Sequence, residues 1–148
     1  MESHPPLFQQ GFHDVEESAL DNHFLDQFPT SQRRPRLIAG LRGFIAALRE
    51  TGIEFELWID GSFCTNKREP NDVDLVAIAN GRDIAQLSPD RMEILTDLFE
   101  GGLARKRYDC DAYFASRDCD ELLFQYRGLF AFSRDLEPKG IARLLVRP

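Results

Sequence analysis

Trp58-Ile59-Asp60-Gly61-Ser62-Phe63-Cys64-Thr65-Asn66-Lys67-Arg68-Glu69-Pro70-Asn71-Asp72-Val73-Asp74-Leu75-Val76 is the stretch on which the fold turns. Leading into it, Phe55, Leu57 and Ile59 alternate with Glu56 and Trp58, the period-two pattern of a strand, and Asp60-Gly61-Ser62 breaks that strand into a tight turn. After nine intervening residues, Asp72-Val73-Asp74 opens a second strand predicted over residues 73–79. Side chains alternate across a strand, so Asp72 and Asp74 point the same way while Val73 faces the core. Two carboxylates projecting into one place repel each other and lose hydration, and a cation or a basic partner is expected between them.

Mg²⁺, or Mn²⁺ in its place, suits that pair. It takes oxygen ligands, keeps several waters, and is commonly held by one or two carboxylates plus substrate phosphates. A nucleoside triphosphate would complete the shell. Gly61 lets backbone come close to a phosphate, and the amide and hydroxyl of Ser62 can donate hydrogen bonds to its oxygens. In-line displacement between two metals calls for a third carboxylate. Asp111 and Asp109 are the candidates, both of one parity in a strand predicted over residues 108–115; Tyr113 and Ala115 share the face of Asp111, and Cys110, Ala112 and Phe114 take the other.

Before the motif, Leu37, Ile38, Leu41, Phe44, Ile45 and Leu48 recur with the 3.6-residue period of a helix. Thr30 or Ser31 can cap it, Pro35 sits in the tolerated first turn and Gly52 supplies the stop. Arg34, Arg42 and Arg49 fall on its polar face, and Arg33, Arg34 and Arg36 read as a solvated helix start. After the motif, Asn80-Gly81 closes the second strand, and Ser88-Pro89 opens a helix through Phe99 that ends at Gly101-Gly102. Arg105-Lys106-Arg107 reads as a wet entrance to the third strand. Residues 118–132 carry Leu122, Leu123, Tyr126, Leu129 and Phe130 at helical spacing, and Phe124, Tyr126, Phe130 and Phe132 are expected in the core. A last strand is predicted over residues 141–146, after Pro138-Lys139-Gly140. Lys139 is a candidate phosphate contact, although Pro-Lys-Gly is also ordinary turn chemistry. Pro5, Pro6, Gly11 and Pro29 predict a largely irregular arm over residues 1–30 with one short helix at 15–25. A single mixed α/β (α+β) domain follows over residues 31–148.

The 148 residues, 43% of them apolar, suffice for one core and leave no room for a second large domain. A net charge of −7 argues against a protein that grips a phosphate backbone by charge alone. Cys64, Cys110 and Cys119 form no CxxC pair and are odd in number, which predicts free thiols and a cytoplasmic location. Cys64 and Cys110 read as packing residues. His4, His13 and His23 match no metal-ligand spacing. No window approaches the ~18 consecutive apolar residues of a membrane span, and residues 1–12 show neither the basic nor the apolar region of a secretory leader.

The run Ile59 to Phe63 followed by Pro70 to Val76 resembles the hallmark of the DNA polymerase β-type nucleotidyltransferase superfamily: hydrophobic-Gly-Ser, a spacer, then Asp-x-Asp in a strand. More narrowly, the whole chain resembles small nucleotidyltransferase-like proteins of bacterial and phage genomes. That likeness covers the helix before the motif, the Gly-Ser-Phe-x-Thr-x-Lys turn at Gly61 to Lys67, Pro70-Asn71-Asp72, Cys110-Asp111 and Pro138-Lys139-Gly140. The resemblance implies a palm-like mixed sheet with helices on one side, Asp72 and Asp74 as metal ligands, Asp111 rather than Asp109 as the third carboxylate, and Gly61-Ser62 at the β and γ phosphates. It also implies transfer of an NMP or dNMP to an acceptor hydroxyl, on a protein, as in enzymes that modify partner toxins, or on a nucleic acid or second nucleotide, as in anti-phage signalling. One departure is plain: many relatives carry a small residue, Arg and Gly just after Gly-Ser, where this chain has Phe63-Cys64-Thr65-Asn66-Lys67. Lys67 is the candidate for the phosphate contact there. The helical second domain that reads the acceptor in larger members has no counterpart, so a partner chain or an oligomer is the expected source of those contacts. The alternative function is a nucleotide-sensing or partner-binding module that keeps the fold without the chemistry.

Overall fold

The computed structural model describes residues 4–131 and 138–148; Phe132, on the helical aromatic pattern, lies outside them. In chain order the elements are β1 (Gly11–Asp14), α1 (Leu20–Phe24), α2 (Arg33–Arg49), β2 (Phe55–Asp60), β3 (Val73–Ala79), α3 (Gly81–Ala85), α4 (Pro89–Phe99), α5 (Leu103–Tyr108), β4 (Cys110–Ser116), α6 (Asp120–Phe130) and β5 (Gly140–Val146). They build a mixed α/β fold on one five-stranded sheet of order β1-β5-β2-β3-β4. β2 pairs antiparallel with both β3 and β5, whereas β3–β4 and β1–β5 are parallel. A parallel neighbour needs a crossover, and α3, α4 and α5 supply it between β3 and β4. The antiparallel β2–β3 pair is joined directly by residues 61–72, which carry the motif.

α2 forms because its apolar residues make one stripe. Leu37, Ile38, Leu41, Phe44, Ile45 and Leu48 are all at most 3% exposed, and they pack on the sheet face made by Phe55, Leu57, Ile59, Leu75, Ala77 and Leu144. Each such side chain contributes about 1.5–3 kcal/mol by leaving water. Its N-terminus is capped twice: the Ser31 hydroxyl accepts from the Arg34 amide at 3.1 Å, and the Glu69 carboxylate accepts from the amides of Gln32 and Arg33. Negative charge there also complements the helix dipole.

Four expectations are corrected. Residues 11–14, predicted irregular, form an edge strand whose regularity comes from β5, while Leu20 and Phe24 are fully buried in the main core cluster. Helices were expected on one side of the sheet, yet α6 covers the opposite face, where Phe130 joins Trp58, Val76, Ile78, Ala115 and Ile141. Phe124, expected in the core, is 77% exposed, because the inward stripe of α6 runs through Leu122, Leu123, Tyr126 and Phe130 instead. Arg34, expected in solvent, is fully buried under the loop after β2, where backbone carbonyls replace water around its guanidinium. Cys64 and Cys110 are buried and unpaired, as packing residues are. No helix among the described residues is long and apolar enough to cross a membrane.

Two glycines in helices predict opposite outcomes. At Gly40, in α2, an added Cβ would lie 2.2 Å from the Tyr108 carbonyl oxygen of α5. Helix propensity favours alanine by ~1 kcal/mol, but a backbone clash outweighs it, and Gly40→Ala should destabilise by about 1–3 kcal/mol. At Gly128, in α6, nothing lies within 4 Å of such a Cβ. Gly128→Ala should therefore stabilise by up to ~1 kcal/mol; urea denaturation of both variants measures the two signs.

Candidate metal and phosphate site

Strand register sets three carboxylates side by side. Asp60 of β2 stands opposite Asp74 of β3, and Asp74 stands opposite Asp111 of β4. Asp72 reaches the same face from the residue before β3, and oxygens of Asp72, Asp74 and Asp111 all lie within 4.8 Å of one another. Like charges directly opposite in a sheet are destabilising, so the row demands positive charge. Asp74 carries the consequence: burial first, then repulsion from Asp72 and Asp111, raises its pKa to about 6. Three partly exposed oxygen donors so placed are of the kind that could hold a hard divalent cation. The surface hollow between α2 and α5, lined by Arg36, Gly40, Tyr108 and Asp109, includes none of Asp72, Asp74 and Asp111.

Asp109 does not join them. It adopts a left-handed conformation, φ 54°, that ends α5, and its carboxylate pairs with Arg36 at 3.0 Å. For the same reason residues 105–107 belong to a helix and not to a strand entrance, and the strand begins at Cys110. That correction matters for Arg105, which α5 aims at the triad: its guanidinium lies 3.4 Å from Asp72 Oδ2 and 3.1 Å from Asp111 Oδ1. With a side chain 60% exposed, Arg105 is tied by surface ion pairs worth about 0–1 kcal/mol, and incoming charge can displace it. Tyr113, two residues along β4, places its hydroxyl 3.5 Å from the other oxygen of Asp111.

Gly61 brings the chain against the row. Its φ is 78°, and a Cβ there would lie 2.0 Å from Asp74 Oδ2, so no other residue fits. A single 3-10 turn follows at Ser62–Cys64, closed by the amides of Cys64 and Thr65 on the carbonyls of Gly61 and Ser62, both at 3.1 Å. Phe63 anchors the turn in the core. Lys67, a sequence candidate for phosphate, contributes its carbonyl to the packing beneath the loop, and among the described residues its ammonium pairs with no carboxylate.

The β2 end of the row has its own cation. Lys139 Nζ lies 2.8 Å from Asp60 Oδ2, with side chains 13% and 3% exposed. Burial raises Asp60 to about 7 even though Lys139 pulls the other way, and among the described residues Asp60 Oδ1 has no hydrogen-bond partner. Lys139 was a phosphate candidate by sequence; its ammonium is in fact seated on Asp60. The sequence pattern alone places Asp60 only at the turn that ends β2. The signal was present: if Phe55, Leu57 and Ile59 face inward, Asp60 shares the face of Trp58 and, across an antiparallel pair, meets Asp74.

The model of DUF6932, a family of unknown function, matches residues 2–145 of the chain. No curated protein and no solved structure matches it.

Lys139→Met should strand a buried carboxylate and destabilise by about 3–5 kcal/mol at pH 8, and adding Asp60→Asn should recover most of the loss. Asp60 sits near 7 in the folded chain against 3.8 ordinarily, so it favours the fold when protonated and weakens it as pH rises through that interval. The gap between Lys139→Met and the parent should therefore be small at pH 5 and widen towards pH 8 in urea titrations made with a chelator present.

Proposed function

We propose that this chain, which belongs to DUF6932, transfers a nucleoside monophosphate from a nucleoside triphosphate to an acceptor hydroxyl, with a divalent cation bound at Asp72, Asp74 and Asp111. The observation that carries the proposal is the convergence of those three carboxylates beside Gly61-Ser62. Mg²⁺ or Mn²⁺ would supply charge neutralisation of the phosphates and orient the attacking and leaving oxygens.

Each residue then has a defined task. The triad oxygens, gathered on one face by strand register, are the donors for the cation. Gly61 keeps that space clear of a side chain, and the amide and hydroxyl of Ser62 donate to the phosphate chain. Arg105 neutralises Asp72 and Asp111 while the site is empty and exchanges those partners for phosphate oxygens on binding. Lys139 holds the charge of Asp60, so that the fourth carboxylate of the row does not repel the substrate. The acceptor oxygen attacks the α phosphorus, the bond from that phosphorus to the oxygen bridging towards the β phosphate breaks, and pyrophosphate leaves with its electron pair. The hydroxyl proton passes to Asp111 and from there, since that side chain is 31% exposed, to water. Catalysis of this kind is positioning and electrostatic stabilisation.

Incubation with each α-labelled NTP and dNTP, with Mg²⁺ or Mn²⁺, should put label on the protein or on an extended product. Asp74→Ala and Asp111→Ala should each reduce labelling by about 10²-fold or more, while Asp109→Ala should leave it within about twofold. Nucleotide binding that needs the cation but yields no label with any acceptor would identify a sensing module instead, and undiminished labelling in the Asp72→Ala/Asp74→Ala double variant would remove the site altogether.

A further inference from the structure

The loop that carries Gly61-Ser62 owes its shape to a single cation from α2. Arg34 is fully buried, yet among the described residues no carboxylate pairs with it. Instead its guanidinium makes five hydrogen bonds to four backbone carbonyls. Nε donates to Lys67 at 3.2 Å; one terminal nitrogen donates to Phe24 at 2.9 Å and Phe63 at 3.0 Å; the other donates to Thr65 at 2.8 Å and Lys67 at 2.6 Å. The ring of Phe28 lies 3.7 Å from the guanidinium carbon and covers its face. All five N–H groups of the fork are engaged, a set that the three donors of a lysine cannot reproduce. Desolvation lowers the pKa of this arginine to about 10, which still leaves it protonated at neutral pH.

The geometry has a consequence for the peptide planes. The C=O of one residue and the N–H of the next point in opposite directions across a trans peptide. Turning the carbonyls of Phe63, Thr65 and Lys67 towards Arg34 therefore sends the amides of Cys64, Asn66 and Arg68 the other way. The amide of Cys64 closes on Gly61, and that of Asn66 reaches the carbonyl of Pro5 at 2.9 Å. Leu7 returns its own amide to Cys64 at 2.8 Å, so the loop is held between α2 and the chain near residue 6. At its far end Glu69 is tied to α2 by the Ser31 hydroxyl and the amides of Gln32 and Arg33. Within these bonds the amides of Cys64 to Lys67 are consumed, while among the described residues those of Ser62 and Phe63 have no backbone acceptor.

We propose that Arg34 is the positioning residue of the site: by fixing the carbonyls of Phe63, Thr65 and Lys67 it presents Gly61-Ser62, beside Asp74, in the arrangement that receives a phosphate chain. The inference rests on the nucleotidyltransferase reading for its ligand and goes beyond it by assigning the pre-formed loop to a residue that touches neither metal nor phosphate. Arg34 acts on phosphate through the loop, whereas the triad lies on β3, β4 and the residue before β3. The two affinities should accordingly separate.

Calorimetric titration of the whole chain with Mn²⁺ alone, and with inorganic tripolyphosphate in saturating Mg²⁺, tests this in Arg34→Lys and Glu69→Gln. Arg34→Lys should weaken tripolyphosphate binding about tenfold or more while Mn²⁺ affinity stays within about twofold, and amide exchange should quicken in residues 61–67 but not in β3. Unchanged tripolyphosphate affinity, or a parallel loss of Mn²⁺ affinity, overturns the assignment. Should Arg34→Lys fail to fold, Glu69→Gln, which loosens the other end of the same loop, decides by the same split. Absence of tripolyphosphate binding in the parent chain defeats the nucleotidyltransferase reading and this inference together, whereas parent-like binding in a folded Arg34→Lys defeats this inference only.

Discussion

Like charges set in register are the constraint around which this molecule is arranged. The pairing of β2 with β3 and of β3 with β4 leaves Asp60, Asp74 and Asp111 as lateral neighbours, and Asp72 adds a fourth carboxylate at the mouth of β3. Directly opposed carboxylates cost stability, and within the sheet the Tyr113 hydroxyl offers Asp111 only a long contact of 3.5 Å. The charges that offset them come from outside it: Lys139 from the residue before β5, Arg105 from α5, and, in the proposed activity, a divalent ion. The side chains meet this need to different degrees. Asp60 is buried and seated on Lys139, while the partly exposed triad is served by an arginine that mostly faces water. A protein selected only for stability would replace the row with apolar residues, as Val76 and Ile78 replace it further along β3.

Much of this was legible in the residues. α2, β2, β3, α4 and α6 announce themselves through unambiguous periods and through caps such as Ser88-Pro89, whose hydroxyl accepts from the Arg91 amide. The convergence of Asp72 and Asp74 follows from strand alternation, and that of Asp111 from the resemblance. What escaped reading depended on partners distant in sequence. Gly11-Phe12-His13-Asp14 has no alternation to reveal a strand, because its order is imposed by pairing with residues 140–143. Asp109 ends a helix through a backbone conformation that its side chain does not advertise. Arg34 looked solvated because a charged residue at a helix start normally is; only the fold of residues 63–67 over it supplies the carbonyls that make burial tolerable.

Two kinds of precision thus coexist. The carboxylates are located by the sheet, whose hydrogen-bond ladder fixes each Cα against its neighbours. The glycine-serine turn is located by side chains and by the N-terminal segment, through hydrogen bonds that lie outside the ladder. The chain therefore separates, in physical terms, what would hold a cation from what would hold the anion it bridges.

The strand order carries a further consequence for how the chain is made. β5, the last of the five strands in chain order, lies between β1 and β2, two of the earlier ones. A nascent chain can pair β2, β3 and β4, but β1 lacks its strand partner and Asp60 its ammonium until residues 139–146 have been made. Closure of the sheet and pairing of its buried carboxylate therefore wait on the same short stretch of chain.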